Sequence, residues 1–378
     1  MVTAMATDDT KNLSCHRLLV VRNDRLGDFM LAWPALALLR ASLPETRIAV
    51  LVPPYTEPLA RVCPWLDEII VDPGAKASAQ EQRALLRELR HRNFEALLTL
   101  FSTFRTARLG LRAGIPLRVA PATKFAQLLY PVRVTQRRSR SLKPEYMYNE
   151  ELARVLLQKL NTIPKPPPPP FWPMPPEERK EERTKLAARL KLELTRPWFF
   201  IHAGSGGSAN NLNLEQYARL AGALESQLTA DNKEPSPCWI LTAGPGEESR
   251  TRDLAAMFLA GGVKAVIYQS EKGLVQFSRS LAAADLFLAG STGPLHVAGC
   301  LDVPTVGFFP AKRSSTALRW RPCNSTGRTL GIQPPPDGAQ TDMKRINPED
   351  AAGRIALFWQ QIQNERHDSN NCCRPGEA

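Results

Sequence analysis

The chain has 378 residues, 43% hydrophobic and 23% charged, with 49 Lys and Arg against 37 Asp and Glu for a net charge of +12. These proportions are ordinary for a soluble globular protein, and no stretch approaches the ~20 uninterrupted apolar residues needed to span a bilayer. The length exceeds the roughly 250 residues at which single cores stop growing, so two domains are expected.

Met1 to Asn12 carries Asp8, Asp9 and Lys11 and no apolar centre. It reads as a disordered lead-in over residues 1–16, not a signal peptide. Leu18 to Arg22 then reads as a buried strand, Asn23 to Asp28 as a loop, and Phe29 to Leu43 as a helix with Trp33-Pro34 near its start. Strands at Ile48–Val52, Glu68–Val71 and Ala96–Thr99 alternate with helical stretches near Pro58–Val62 and Gln80–Arg92. Alternation of this kind argues for a parallel, doubly wound sheet over residues 17–163.

Nine of the thirteen residues from Pro164 to Pro176 are proline. Such a run cannot enter a central strand or a helix interior and favours a stiff polyproline II strap between domains. The βα alternation resumes over residues 177–346. Strand Trp198–His202 runs into a Gly/Ser loop, and helix Leu214–Gln227 follows with Asn213 and Gln216 at capping-box spacing. Strands Trp239–Thr242, Ala265–Tyr268, Leu286–Ala289 and Thr305–Phe309 alternate with helices Arg250–Leu259, Leu274–Ala283 and a short one ending at Cys300. Asn347-Pro348-Glu349-Asp350 starts a final helix to about Gln363, within a C-terminal helical segment 347–365 and ahead of a flexible tail, 366–378. No internal repeat is visible beyond this two-lobe echo.

Seven cysteines, at 15, 63, 238, 300, 323, 372 and 373, fit no zinc spacing and read as reduced thiols of a cytoplasmic protein. Residues 1–170 hold 25 Lys and Arg against 15 Asp and Glu, and Arg105 to Lys143 contains ten basic residues and no acid. The imbalance implies an anionic partner for the N-terminal half. No nucleic-acid motif and no interleaved aromatic platform accompanies those cations, so nucleic acid is not the expected partner.

Four junctions could carry chemistry. Gly290-Ser-Thr-Gly-Pro-Leu-His296 follows a strand and opens a helix, offering hydroxyls, free N–H groups and the positive end of a helix dipole to an anion. The alternative is a plain strand–helix turn with a satisfied core histidine. His202-Ala-Gly-Ser-Gly-Gly-Ser-Ala-Asn210 is a second small-residue loop, neither a Walker A loop nor a dinucleotide fingerprint. Thr242-Ala-Gly-Pro-Gly-Glu-Glu248 is a third, whose carboxylates Glu247 and Glu248 could hold ribose hydroxyls or stand solvated. Arg22-Asn-Asp-Arg-Leu-Gly-Asp28 is the fourth: Asp28 is either a helix N-cap or a general base facing the other lobe, with Asp24 the nearest competing carboxylate. No DxD triplet and no metal-spaced cluster occurs, so neither a metal nor another cofactor is required.

Together these motifs resemble glycosyltransferase family 9, the lipopolysaccharide heptosyltransferases, over roughly residues 17 to 365. The carriers are Leu19-Val-Val-Arg-Asn-Asp-Arg-Leu-Gly-Asp28 with Pro34-Ala-Leu36, the block from His202, Gly244-Pro-Gly-Glu-Glu248, and Ser291-Thr-Gly-Pro-Leu-His-Val-Ala298 leading to Val303-Pro-Thr-Val-Gly-Phe-Phe-Pro310. The resemblance implies a GT-B fold, two Rossmann-like doubly wound lobes with an interdomain cleft. It implies inverting transfer of heptose from a nucleotide-sugar donor, ADP-heptose, to an anionic lipopolysaccharide precursor of the Kdo–lipid A type. Asp28 would be the general base. Gly204, Ser205, Asn210, Glu247, Glu248, Ser291, Thr292, Gly293, Leu295 and His296 would meet the donor. The acceptor would fall to Arg25, Arg105, Arg108, Arg137, Arg138 and Arg140, since arginine pairs bidentately with carboxylate and phosphate. The same face could touch the anionic inner leaflet of the inner membrane without insertion.

Two departures stand out. The family often has a lysine where this chain has Asn210, and commonly an aspartate where it has Ser291. They leave open a GT-B transferase using another nucleotide sugar in cell-surface polysaccharide assembly, or a catalytically weak, nucleotide-binding scaffold.

Overall fold

The computed structural model describes residues 15–204, 210–230 and 235–372. The N-terminal lobe runs β1 Arg17–Val21, α1 Leu26–Met30, α2 Trp33–Ser42, β2 Arg47–Val52, α3 Glu57–Arg61, β3 Glu68–Val71, α4 Ala79–His91, β4 Ala96–Thr99, α5 Phe104–Arg112, β5 Leu117–Pro121, β6 Val132–Val134 and α6 Glu145–Lys159. The C-terminal lobe runs α7 Pro176–Leu190, β7 Trp198–His202, α8 Leu214–Thr229, β8 Cys238–Thr242, α9 Glu248–Ala260, β9 Ala265–Tyr268, α10 Gly273–Ser280, β10 Leu286–Gly290, α11 Gly293–Cys300, β11 Thr305–Phe308, β12 Thr329–Ile332 and α12 Pro348–Cys372.

Each lobe holds one six-stranded sheet. The first is ordered β3-β2-β1-β4-β5-β6, and the second, read from its far edge, β9-β8-β7-β10-β11-β12. Both are therefore the same 3-2-1-4-5-6 winding. Every pairing is parallel, as in β1 on β2 (Val20 opposite Val50) and β10 on β7 (Leu288 opposite Ile201). Helices cover both faces, so β1, β7 and β10 are apolar runs with almost no alternation. In such sheets ligands bind beyond the carboxyl ends of the strands, where the winding reverses. Those points lie between β1 and β4 in one lobe and between β7 and β10 in the other, just where the Asp28 loop and the 290–296 turn emerge.

The Asn213–Gln216 capping box forms as the spacing predicts: Gln216 N donates to Asn213 Oδ1 at 2.7 Å, and Asn213 N to Gln216 Oε1 at 3.1 Å. Several expectations are corrected. The loop expected over residues 23–28 ends early, because α1 starts at Leu26 and Asp28 lies in its first turn with Arg25 as N-cap. The helix expected over residues 29–43 is broken after Met30, where Pro34 cannot donate to the preceding turn and forces a new start at Trp33. α5, α6, α7, β5, β6 and β12 have no counterpart in the sequence reading. α12 runs past Gln363 to Cys372, since no glycine or proline interrupts it there.

The proline strap is more than a spacer. Phe171, Trp172 and Met174 are buried in a hydrophobic cluster that continues from β1 and α2 through the strap to β10 and α11. The Trp172 ring stands 5.2 Å from that of Trp33, and Trp172 N donates to Cys300 O at 2.7 Å. The two lobes thus share one apolar core at the strap.

Candidate active site

β1 ends in a buried cation. Arg22 is 2% exposed, and its guanidinium meets Asp28 Oδ1 at 2.6 Å, Asp24 Oδ1 at 2.9 Å and Glu145 Oε1 at 3.8 Å. Burial alone would lower the Arg22 pKa, but Asp24, Asp28 and Glu145 outweigh it and the net shift is upward. Asp24 is pushed up to about 7: burial is the main cause, Arg22 opposes it, and Asp28 adds to it. Three carboxylates share one arginine here, and burial drives Asp24 toward its neutral form.

The other wall comes from the C-terminal lobe. Thr292 has the extended backbone of an N-cap (φ −121°, ψ 165°), yet its side chain makes no cap hydrogen bond. Among the described residues its buried Oγ1 has no partner. The first N–H groups of a helix lack intrahelical acceptors, so this end of α11 presents a hydroxyl and backbone donors together. His296 is buried, its Nδ1 has no partner among the described residues, and burial pushes its pKa down to about 3. It is a neutral imidazole, wedged in the seam between lobes.

The seam joins the two walls. A Cβ on Gly27 would lie 2.9 Å from His296 Cδ2 and 3.6 Å from Gly293 Cα, and one on Gly293 would lie 2.9 Å from Leu26 Cδ2. The first turns of α1 and α11 therefore meet directly. Asp28, one residue beyond Gly27, is brought to the mouth of the α11 N-terminus.

A second lattice ties the loops after β7 and β8. His202 Nδ1 lies 3.0 Å from Thr242 Oγ1 and its Nε2 3.5 Å from Glu247 Oε2, while Glu247 Oε2 also accepts from Gly244 N at 2.9 Å. Burial lowers the His202 pKa, against the pull of Glu247. A Cβ on Gly204 would coincide with the Glu247 carboxylate, so glycine there makes room for it. Asn211 pins the same loop: its Nδ2 donates to Ala203 O at 3.0 Å, and its Oδ1 accepts from Tyr217 Oη at 2.7 Å.

The remaining sequence candidates divide. Glu248 Oε1 accepts from Gln269 Nε2 at 2.9 Å, at the start of α9. Asn210 is exposed and reaches Thr341 O at 3.4 Å. Leu295 is fully buried, so only its backbone can face a ligand. Ser291 is half-buried at the turn, and Ser205 lies outside the described residues. Arg105 is paired with Asp72 and Gln82. Arg138 donates to Glu145 Oε1 at 2.5 Å. Arg25, Arg108, Arg137 and Arg140 are exposed. Among the described residues, no group of three His, Cys, Asp or Glu side chains could hold a metal.

Sequence reasoning missed the interlobe ion network. Glu145, at the start of α6, is gripped by Arg22, Arg138 and, from the other lobe, Arg319. Glu145 N also donates to Arg319 O at 2.8 Å. The one available signal was an arginine directly after four apolar residues in β1, a position that burial makes costly unless carboxylates surround it.

Two doubly wound lobes, with the first turns of α1 and α11 meeting between their carboxyl edges, are the GT-B arrangement. The family model for glycosyltransferase family 9 (heptosyltransferase) matches residues 82–347. A Haemophilus influenzae protein provisionally named a glycosyltransferase is 42% identical over 360 residues, 94% of this chain and 99% of that one. The chain belongs to glycosyltransferase family 9. Its fold is that of the Escherichia coli ADP-heptose lipopolysaccharide heptosyltransferase II (TM-score 0.70, 20% identity, 92% of this chain and 99% of that one). It is also that of the E. coli heptosyltransferase WaaC solved with ADP (TM-score 0.65, 17% identity, 90% and 99% covered).

Proposed function

We propose that the protein moves a heptose from ADP-heptose to a Kdo–lipid A type acceptor, with inversion at the anomeric carbon and Asp28 as general base. The observation that carries the reading is the contact of α1 with α11 through Gly27, Gly293 and His296, which sets Asp28 beside the N-terminus of α11. ADP and ADP-heptose are named with solved relatives of the same fold, which supports an ADP-linked donor.

In this reading Arg22 holds Asp28 by Oδ1 and fixes the direction of its carboxylate. The second carboxylate oxygen takes the proton of the acceptor hydroxyl as that oxygen attacks C1 of the sugar. The C1–O bond to the β-phosphate breaks on the opposite side, and the electron pair leaves with the diphosphate. The free N–H groups of α11 and the Thr292 hydroxyl meet the charge that develops there, where fixed donors help most. Glu247 and Glu248 stand at the carboxyl edge of β8 for the nucleoside. Arg25, Arg108, Arg137 and Arg140 supply positive charge for an anionic acceptor; Arg105 and Arg138 contribute through the ion pairs they already make.

Asn210 favours a second reading. With no cation at that position, the donor could be a different nucleotide sugar used in cell-surface polysaccharide assembly. The test is a thermal-shift screen of nucleotide sugars followed by a transfer assay with the preferred one, since a ligand bound only by the native state raises Tm. ADP-heptose should give the largest shift and a heptosylated acceptor. A larger shift with another sugar nucleotide selects the second reading, and no shift with any of them rejects both.

A further inference from the structure

The segment after β11 reaches across the cleft and clasps the start of α6. Ser141 Oγ donates to Arg313 O, Arg319 Nη1 to Arg138 O and Glu145 N to Arg319 O at 2.8 Å, while Arg321 Nη2 reaches Tyr146 Oη at 3.3 Å. One member of the clasp turns its charge inward. Arg319 is 8% exposed, lies over the Tyr148 ring and pairs with Glu145 Oε2. Trp320, the next residue, stands 6.5 Å from the His296 ring, so the same segment also abuts α11.

Glu145 passes that contact on toward the opposite wall. Its Oε1 accepts from Arg138 at 2.5 Å and faces Arg22 Nη1 at 3.8 Å. The other edges of the Arg22 guanidinium meet Asp24 through Nε at 2.9 Å and Asp28 through Nη2 at 2.6 Å. A guanidinium is planar, so fixing two of its edges fixes the third. The direction in which Asp28 is held therefore depends on where Glu145 sits, and Glu145 is gripped by Arg138 of its own lobe and Arg319 of the other. Without Arg319, Glu145 is a desolvated carboxylate short of counter-charge, which is strongly unfavourable. The cation with room to come closer is Arg22, and its approach turns the Nη2 edge away from Asp28.

We propose that Arg319 is a positioning residue for sugar transfer: through Glu145 and Arg22 it sets the direction of the Asp28 carboxylate, and it does so only while the lobes are clasped. The inference rests on the reading of Asp28 as general base. One segment then governs both walls, touching His296 of α11 through Trp320 and Asp28 through Arg319. A C-terminal lobe that swings away takes Arg319 with it, so the base is aligned only when the donor-binding lobe is in place.

Transfer by the full-length protein is assayed with ADP-heptose, or with the sugar nucleotide that gives the larger thermal shift, and ADP affinity is read by calorimetry. Arg319→Gln lowers kcat about 10- to 100-fold, the effect of a misplaced reacting group, while donor KM and ADP affinity stay within about threefold. Arg319→Lys keeps the charge and recovers most of the loss. Added to Asp28→Asn, Arg319→Gln costs less than about threefold more, because residues that act as a unit are not additive. Arg321→Gln, which removes the Tyr146 contact of the same clasp, keeps wild-type kcat. If Arg319→Gln does not fold, Arg319→Gln with Glu145→Gln leaves no buried carboxylate short of its cation, and its loss is compared with and without Asp28→Asn. A loss of equal size with and without Asp28→Asn, or one shared by Arg321→Gln, makes Arg319 a strut and overturns the inference, as does wild-type kcat in Arg319→Gln. Wild-type turnover in Asp28→Asn alone rejects the base reading and this inference together. Loss in Asp28→Asn with none in Arg319→Gln rejects this inference only.

Discussion

Gly27 and His296 touch across the seam between lobes: a Cβ on the glycine would lie 2.9 Å from the ring carbon Cδ2. The backbone leading to Asp28 and the first turn of α11 are thereby held in one fixed relation. Gly27→Ala should press the methyl group against a ring that is itself buried and cannot swing aside. The overpacking costs about 1–3 kcal/mol. Transfer should slow more than stability alone explains, because the two walls move apart. A variant with wild-type Tm and wild-type kcat would show that the seam has slack.

Asp28→Asn keeps the shape of the side chain and an acceptor oxygen for Arg22, but removes the basic oxygen. Transfer should fall by about 10²–10⁴, the range that general-base catalysis supplies. Affinity for ADP, measured by calorimetry, should stay within about a factor of three, a change of only ~0.65 kcal/mol. Wild-type turnover in this variant would move the base elsewhere, and Asp24 would then be the first residue to examine.

Asp24 makes stability depend on pH. Its carboxyl is raised to about 7 in the fold, above the ordinary value of 3.8. Between those values the native state holds a proton that the unfolded chain has released, so this site's contribution falls as pH rises through the window. Asp24→Asn is neutral throughout. It should leave Tm near wild type at pH 3.5, below the window, and stabilise the fold increasingly as pH rises from 4 to 7, with no further gain above that. Equal effects below and above the window would place the proton on another group.

His296 has the opposite sign. Its ring is pushed down to about 3 from the ordinary 6.5, so below pH 6.5 the unfolded state binds a proton that the native state refuses. Each pH unit below 6.5 should therefore remove up to about 1.4 kcal/mol at this site. His296→Gln should flatten that part of the urea-denaturation profile between pH 6.5 and 4.5. A profile with unchanged slope would mean that the imidazole titrates normally.

Gly204→Ala should displace the Glu247 carboxylate, whose place the new methyl group would occupy. Glu247 would then leave His202 and Gly244. If Glu247 serves the nucleoside, KM for the donor should rise by about tenfold, roughly one lost hydrogen bond to a charged group, with kcat little changed. A rise in acceptor KM instead would put Glu247 on the other side of the cleft.

The alternation of apolar runs with helical spacing was enough to read the central strands of both sheets, β1 to β4 and β7 to β11, because strands buried on two faces have almost no polar positions. The turn opening α11 was legible because strand, glycine and helix start follow one another within a few residues, whereas the start of α1 at Leu26 was hidden by Gly27, which reads as a turn residue. Glu145 and Arg319 were not legible either: each is an ordinary charged residue locally, and only the meeting of α6 with the segment after β11 makes them partners. Arg138 misled for the same reason. In a run of cations it reads as surface charge, whereas the fold turns it inward onto Glu145. β6 has three residues and lies at a sheet edge, too short for any periodicity to register.

A linker is usually where a chain tolerates added length. Here Lys165 N holds Ser42 Oγ at 2.9 Å, Trp65 Nε1 holds Phe171 O at 2.7 Å, and Cys300 O holds Trp172 N. The strap is thus fastened at both ends with only five prolines between, and α7 begins four residues past Trp172. An inserted residue has nowhere to bulge without releasing one fastening and shifting the register of the other. The number of residues in this connection is as much a part of the architecture as the order of strands, and chimeras that exchange lobes between relatives should keep the stretch from Lys165 to Trp172 intact and join elsewhere.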